Sequence, residues 1–135
     1  MEFIFPVRVY YEDTDVAGVV YHANYLKYFE RGRTEWLREL GLEQDILIEQ
    51  DTAFAISKAE VDYLRPARFN DALEVVTRIE RASGACIYFE QFIRQAQQQE
   101  QILCRAKIKV ACVQMSCMKA KKIPQPLLET LPHES

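Results

Sequence analysis

Between Tyr11 and Tyr25 the chain reads Tyr-Glu-Asp-Thr-Asp-Val-Ala-Gly-Val-Val-Tyr-His-Ala-Asn-Tyr. Two carboxylates, Asp13 and Asp15, and a glycine, Gly18, therefore stand just ahead of a helix start. Free backbone N–H groups and the positive end of the helix dipole make such a start a place where an oxyanion is stabilised. A carboxylate beside those donors can serve as base or nucleophile at a carbonyl. The pairing is the kernel of an acyl-transfer site. Each part also has a plainer reading. A loop aspartate is commonly an N-cap or Asx-turn residue, and Gly18 can be an ordinary turn glycine. Val19, Val20 and Tyr21 are either an apolar wall beside an acyl group or simple core. Asp-x-Asp spacing could suggest a hard cation, but no further acidic cluster lies nearby to complete its shell. In extended backbone the two side chains point to opposite sides. Asp13 is read as structural, fixing the loop by hydrogen bonds, and no metal site is expected.

The elements that must hold this loop follow from patterning. Residues 3–11 are aromatic and β-branched, a first strand with Pro6 near its start marking an edge or bulge. From Asn24 to Leu40 the period becomes helical. Tyr25, Leu26, Phe29, Trp36, Leu37 and Leu40 form a stripe, with Lys27, Glu30, Arg31, Glu35, Arg38 and Glu39 largely opposite. Asn24 is the expected N-cap and Gly41 the C′ residue. Gly32 lies on the apolar stripe, which predicts close approach to another backbone. Glu30 and Arg33 are spaced for an ion pair on a solvated or interface face. A short piece from Glu43 to Asp51 precedes four strands: Phe54–Leu64 with a bulge near Lys58, a strand about Leu73–Ile79, one about Ile87–Ile93, and Ile102–Val113. Residues 95–101 are read as a hairpin tip. The order is that of an α+β protein, a five-stranded antiparallel sheet covering one long helix. Outward Tyr88, Phe92, Ala111 and Val113 would then need cover from another copy, so a homo-oligomer is expected.

Composition narrows the classes. At 135 residues with a net charge of −3, one domain spanning 1–135 is expected, and nucleic acid is disfavoured as a partner. No apolar run approaches the ~20 residues of a membrane span, and no secretory leader is evident, so the chain reads as cytoplasmic. Residues 123–135 carry three prolines and read as a weakly ordered tail. The four cysteines (86, 104, 112, 117) include no Cys-x-x-Cys pair. Cys104 and Cys112 fall on the apolar face with Ile102, Ile108 and Val110, so both read as small core residues. Six basic residues and no acidic one lie between Arg105 and Lys122. They are either a solvated strand face or a dock for phosphates. Lys58, Arg65 and Arg68 form a second basic group.

Glu12-Asp13-Thr14-Asp15-x-x-Gly18-Val19-Val20-Tyr21-His22-x-x-Tyr25, continued by Glu30-x-x-Arg33, resembles the 4-hydroxybenzoyl-CoA thioesterase family. The likeness is greatest to its acyl-CoA thioesterases associated with the bacterial Tol–Pal envelope system. It extends to Tyr63-x-x-Pro66-Ala67-Arg68 and the strand Val110-Ala111-Cys112-Val113. The resemblance implies a hotdog fold, paired into dimers and usually tetramers, that hydrolyses acyl-CoA thioesters at the dimer interface. By position it assigns the catalytic carboxylate to Asp15 and the oxyanion donor to the main-chain N–H of His22. Gly18, Val19 and Tyr21 would meet the substrate. No cofactor is implied, coenzyme A being part of the substrate, and acyl carrier protein is an alternative bearer of the acyl group. Two other functions stay open at this point. One is a hotdog dehydratase or hydratase using the His22 imidazole with Glu30. The other is a binding module for acyl carrier protein or enzymes of phospholipid synthesis.

Overall fold

Asn24–Glu39 forms the long helix α1, and its buried residues are Tyr25, Tyr28, Phe29, Gly32, Arg33, Trp36 and Leu37. The three- and four-residue spacing gives one continuous face. Leu26, expected on that face, is 41% exposed, and Tyr28 takes the inward place instead. The helix ends in a Schellman motif. Gly41, at φ 85°, donates to the Arg38 carbonyl, and Leu42 donates to that of Leu37. The expected N-cap is corrected: Ala23 holds that position, and Asn24 is the first helical residue. The Asn24 amide instead reaches back to the Asp13 carbonyl at 2.9 Å.

A computed structural model describes residues 2–123 and 125–130. Around α1 lie β1 (Phe3–Arg8), α2 (Gln44–Glu49), β2 (Thr52–Tyr63), β3 (Ala72–Ser83), β4 (Cys86–Gln95), β5 (Gln98–Gln114), β6 (Lys119–Ala120) and α3 (Gln125–Thr130). The long strands form one antiparallel sheet in the order β1-β3-β4-β5-β2, and two-residue β6 adds to the end of β5. This is the hotdog arrangement, α1 wrapped by five long strands. β1 stops at Arg8 rather than residue 11, because Tyr11–Asp13 turns into a short 3-10 helix whose Asp13 carboxylate accepts the Tyr10 N–H. β1 is an edge strand, where Pro6 is tolerated. The β4–β5 connection is only Ala96 and Gln97, since β5 begins at Gln98. A register break between Ile56 and Lys58 places the β2 bulge within a residue of its expected position. Another, between Ile93/Cys104 and Arg94/Ile102, turns Ile102 off the core face assigned to it.

Gly32 has a direct packing reason. A Cβ there would lie 2.9 Å from Val75 Cγ1 and 3.2 Å from Thr77 Oγ1. Its absence lets α1 settle onto β3, at about 1 kcal/mol of helix propensity relative to alanine. At the same level Arg33 is buried, contrary to its expected ion pair. Its Nη1 donates to Gln91 Oε1 at 2.9 Å, and Gln91 Nε2 donates to the Phe29 carbonyl and Thr77 Oγ1, each at 2.9 Å. Burial lowers the Arg33 pKa to about 10, against the pull of Glu30. Glu30 itself is exposed, accepts from the Thr34 hydroxyl, and makes no ion pair with Arg33.

Cys104 and Cys112 are fully buried, as core residues should be. Burial pushes the Cys104 thiol up to about 12 and raises Cys112 as well. The folded chain therefore keeps protons that the unfolded chain gives up above pH 9. Stability that is complete below that pH is expected to fall as pH rises from 9 towards 12, seen as a declining urea midpoint. An unchanged midpoint across that window would refute the burial-driven shift.

Parts of the outer sheet face are covered from within the chain. Arg81 lies 3.8 Å from the Tyr88 ring centroid, while Arg78 and Arg94 flank Phe92 at 5.3 and 5.8 Å. Val113, expected outward and bare, is buried. Beyond β6, Ile123 is buried and Leu128 of α3 packs against the core. The rest of the tail, residue 124 and residues 131–135, lies outside the described residues.

Candidate active site

Residues 13–21 form a narrow ribbon. Thr14 bridges Val20, the Tyr21 N–H donates to the Asp13 carbonyl (2.9 Å), and the Asp15 N–H donates to the Val19 carbonyl (2.9 Å). Gly18 closes the tip at φ 78°, with nothing within 4 Å of a built Cβ, so backbone conformation rather than crowding selects glycine. The ribbon is moored to the 65–71 loop by the Val20 N–H to Ala67 carbonyl bond (2.8 Å) and a Val19–Arg68 bridge. Val20 is buried in the core, Val19 half-buried, and Tyr21 is 48% exposed.

Asp15 is exposed at the tip. Its Oδ1 accepts the Ala17 N–H at 2.9 Å, the Asx-turn geometry of the plainer reading, which leaves Oδ2 unbonded among the described residues. Asp13 is the structural member of the pair. Its carboxylate caps Tyr10, and its carbonyl takes both the Tyr21 N–H and the Asn24 amide.

The helix start is prepared differently. Asn24 donates to the Tyr21 carbonyl and Tyr25 to that of His22, whereas the main-chain N–H groups of His22 and Ala23 have no acceptor among the described residues. These two donors sit at the positive end of a 16-residue helix. The exposed His22 ring lies 4.5 Å from the Tyr21 ring and edge-on to Tyr63 at 6.2 Å.

A cleft of about 280 Å³ opens here, lined by Val20, His22, Tyr25, Tyr63, Leu64, Arg65 and Pro66. Asp15 is not part of its wall. The single chain thus holds Asp15 and His22 on one ribbon but does not bring the carboxylate into the cleft. Patterning missed two residues that build this wall. The Tyr63 hydroxyl donates to the His22 carbonyl (3.2 Å), and the Tyr25 hydroxyl accepts the Ala67 N–H (3.1 Å). Burial raises both phenol pKa values. Their signal was present in Tyr25 on the helix stripe and Tyr63 just before Pro66, yet neither spacing says that the two meet. Of the basic groups, Arg65 borders the cleft, whereas Arg105 and Lys107 line a separate outer groove with Glu60, Asp62 and Glu90. Among the described residues no group of three or more His, Cys, Asp or Glu side chains could hold a metal ion.

The profile of the thioesterase-like superfamily matches residues 9–131, nearly the whole chain. The chain belongs to the thioesterase-like superfamily. Among superfamily members, the acyl-CoA thioesterase YbgC of Haemophilus influenzae is 45% identical over 132 residues, covering 97% of this chain and 95% of that protein. A probable thioesterase from Bartonella henselae superposes with a TM-score of 0.85 at 38% identity, over 92% of this chain and all of the other. A 1,4-dihydroxy-2-naphthoyl-CoA thioesterase from Synechocystis superposes at 0.90 with 30% identity, over 97% and 96% of the two chains.

Proposed function

We propose that this protein is an acyl-CoA thioesterase, hydrolysing a thioester to a free acid and coenzyme A. The geometric observation that carries the mechanism is the His22 N–H at the start of α1, without an acceptor among the described residues, in a residue that lines a cleft with a largely apolar wall. Similarity to acyl-CoA thioesterases along nearly its full length supports the substrate class. Sulfur donates little resonance to the acyl carbonyl, and thiolate leaves readily, so one base or nucleophile and one oxyanion site suffice. Asp15 is assigned the first role, through activation of water or direct attack, and the His22 N–H, with Ala23 beside it, the second. Gly18 holds the tip that presents Asp15. Val19 and Tyr21 flank the acyl group.

The working unit is a homo-oligomer, dimer or tetramer, in which a second copy brings a carboxylate to each cleft. Exposed Val16, Tyr11 and Phe69 around the ribbon, and the unpaired outer edge of twelve-residue β2, support such pairing. We assign the enzyme to the cytoplasm, where coenzyme A thioesters are made, and the family resemblance supports a tetramer. Acyl carrier protein presents the same thioester on the same pantetheine arm and is a second possible donor.

Thiol release from short, long and aromatic acyl-CoAs tests the reading. His22→Ala is expected to keep most of the wild-type rate, because the donor is main chain. Turnover of no thioester would overturn the proposal. No thiol release, with dehydration of a 3-hydroxyacyl thioester that needs the His22 imidazole and not Asp15, would point to dehydratase chemistry.

A further inference from the structure

Tyr63 is the last residue of β2, and the sheet sets its place. Its backbone pairs with Cys104 of β5, and the next two N–H groups, of Leu64 and Arg65, both donate to the Leu103 carbonyl, at 2.8 and 3.0 Å. The Tyr63 ring stands edge-on to the Tyr25 ring at 5.6 Å and to the His22 ring at 6.2 Å. Its hydroxyl is thereby carried to the start of α1, where it donates to the His22 carbonyl at 3.2 Å. Among the described residues it is the one group from the sheet that bonds the main chain of His22 or Ala23. Burial raises the phenol pKa, so the group stays a neutral donor at neutral pH.

The acceptor matters because of what shares its amide. The His22 carbonyl and the Ala23 N–H belong to one planar peptide unit and point in opposite directions. A donor that fixes the carbonyl therefore fixes the aim of the N–H. It also polarises the unit, which strengthens the N–H as a donor. That N–H has no acceptor among the described residues, and neither has its neighbour on His22.

We propose that Tyr63 is a positioning residue for the oxyanion site: its hydroxyl, held by the sheet, sets the His22–Ala23 peptide plane and so aims the Ala23 N–H at the developing oxyanion beside that of His22. An oxyanion site works through donors already in place before charge develops. Tyr63 acts from the far side of the amide and does not need to touch the substrate. The proposal rests on the thioesterase reading.

Tyr63→Phe keeps the ring in the cleft wall and removes only the hydroxyl. The residue is 49% exposed, so the fold should survive the change. Losing an oxyanion donor outright costs on the order of 10²–10³ in kcat. Releasing the aim of one should cost less, about tenfold in kcat on an acyl-CoA, with KM unchanged. The backbone amide nitrogen resonance of Ala23, which senses the bond at the preceding carbonyl, should move. A variant with wild-type kcat, or with its loss carried by KM alone, would overturn the proposal. So would a loss in kcat with an unmoved Ala23 resonance, which would give the hydroxyl some other role. A wild type that turns over no thioester fails the thioesterase reading, and the proposal with it. An active wild type beside a fully active Tyr63→Phe fails the proposal alone.

Discussion

Asp15→Ala is expected to release thiol from acyl-CoA about a thousandfold more slowly than wild type while keeping its fold, since a positioned base or nucleophile contributes on the order of 10²–10⁴ in rate. The structural loss should be small. Asp15 is exposed, and among the described residues its side chain makes one bond, to the Ala17 N–H. Removing that bond costs about 1 kcal/mol. Asp15→Asn sharpens the test, because its amide oxygen can still close the Asx turn but can neither take a proton nor attack as a carboxylate does. Both variants should therefore lose the rate, with Asn the better folded. Retention of wild-type kcat by Asn would make the residue a turn former only and remove it from the chemistry.

Gln91→Leu should cost about 3 kcal/mol of stability and lower the melting temperature by roughly 10 °C. Gln91 is fully buried and supplies the one hydrogen-bond acceptor that Arg33 has among the described residues, so leucine leaves a guanidinium inside the protein without an acceptor. The Phe29 carbonyl and Thr77 hydroxyl lose their Gln91 contacts too. Replacing Arg33 by leucine in the same chain removes the stranded charge, and the double variant should be more stable than Gln91→Leu alone. Thermal unfolding of the two variants decides it. Equal or additive losses would show that Gln91 matters for its packing rather than for satisfying Arg33.

The network also shows where patterning misleads. Arginine at a helix position three residues after glutamate reads as a surface ion pair, because charge normally goes to solvent. Arg33 is inside because Gly32 lets the helix approach β3 closely and because β4 offers an amide at that level. The glycine is local to the helix, but the amide that receives Arg33 is not. Tyr28 was overlooked for the opposite reason. Tyr28 lies between charged Lys27 and buried Phe29, and nothing local says that it, rather than Leu26, turns inward.

What the sequence determined by itself was the order and type of the elements: a strand, one long helix ended by Gly41, and four strands in series, one bulged near Lys58. Those features depend on periodicity and on residues with restricted or special backbone preferences, and both act within a few positions. It also located the loop that carries Asp13, Asp15 and Gly18, and the length of that motif carried the family. Tertiary structure alone decided which N–H groups at the helix start remain free, that Tyr63 and Tyr25 complete the wall beside His22, and that Asp15 stands outside that wall in a single chain. Those outcomes depend on pairings between positions some forty residues apart (His22 with Tyr63, Tyr25 with Ala67), and no local pattern records which distant partner a hydrogen-bonding group will find.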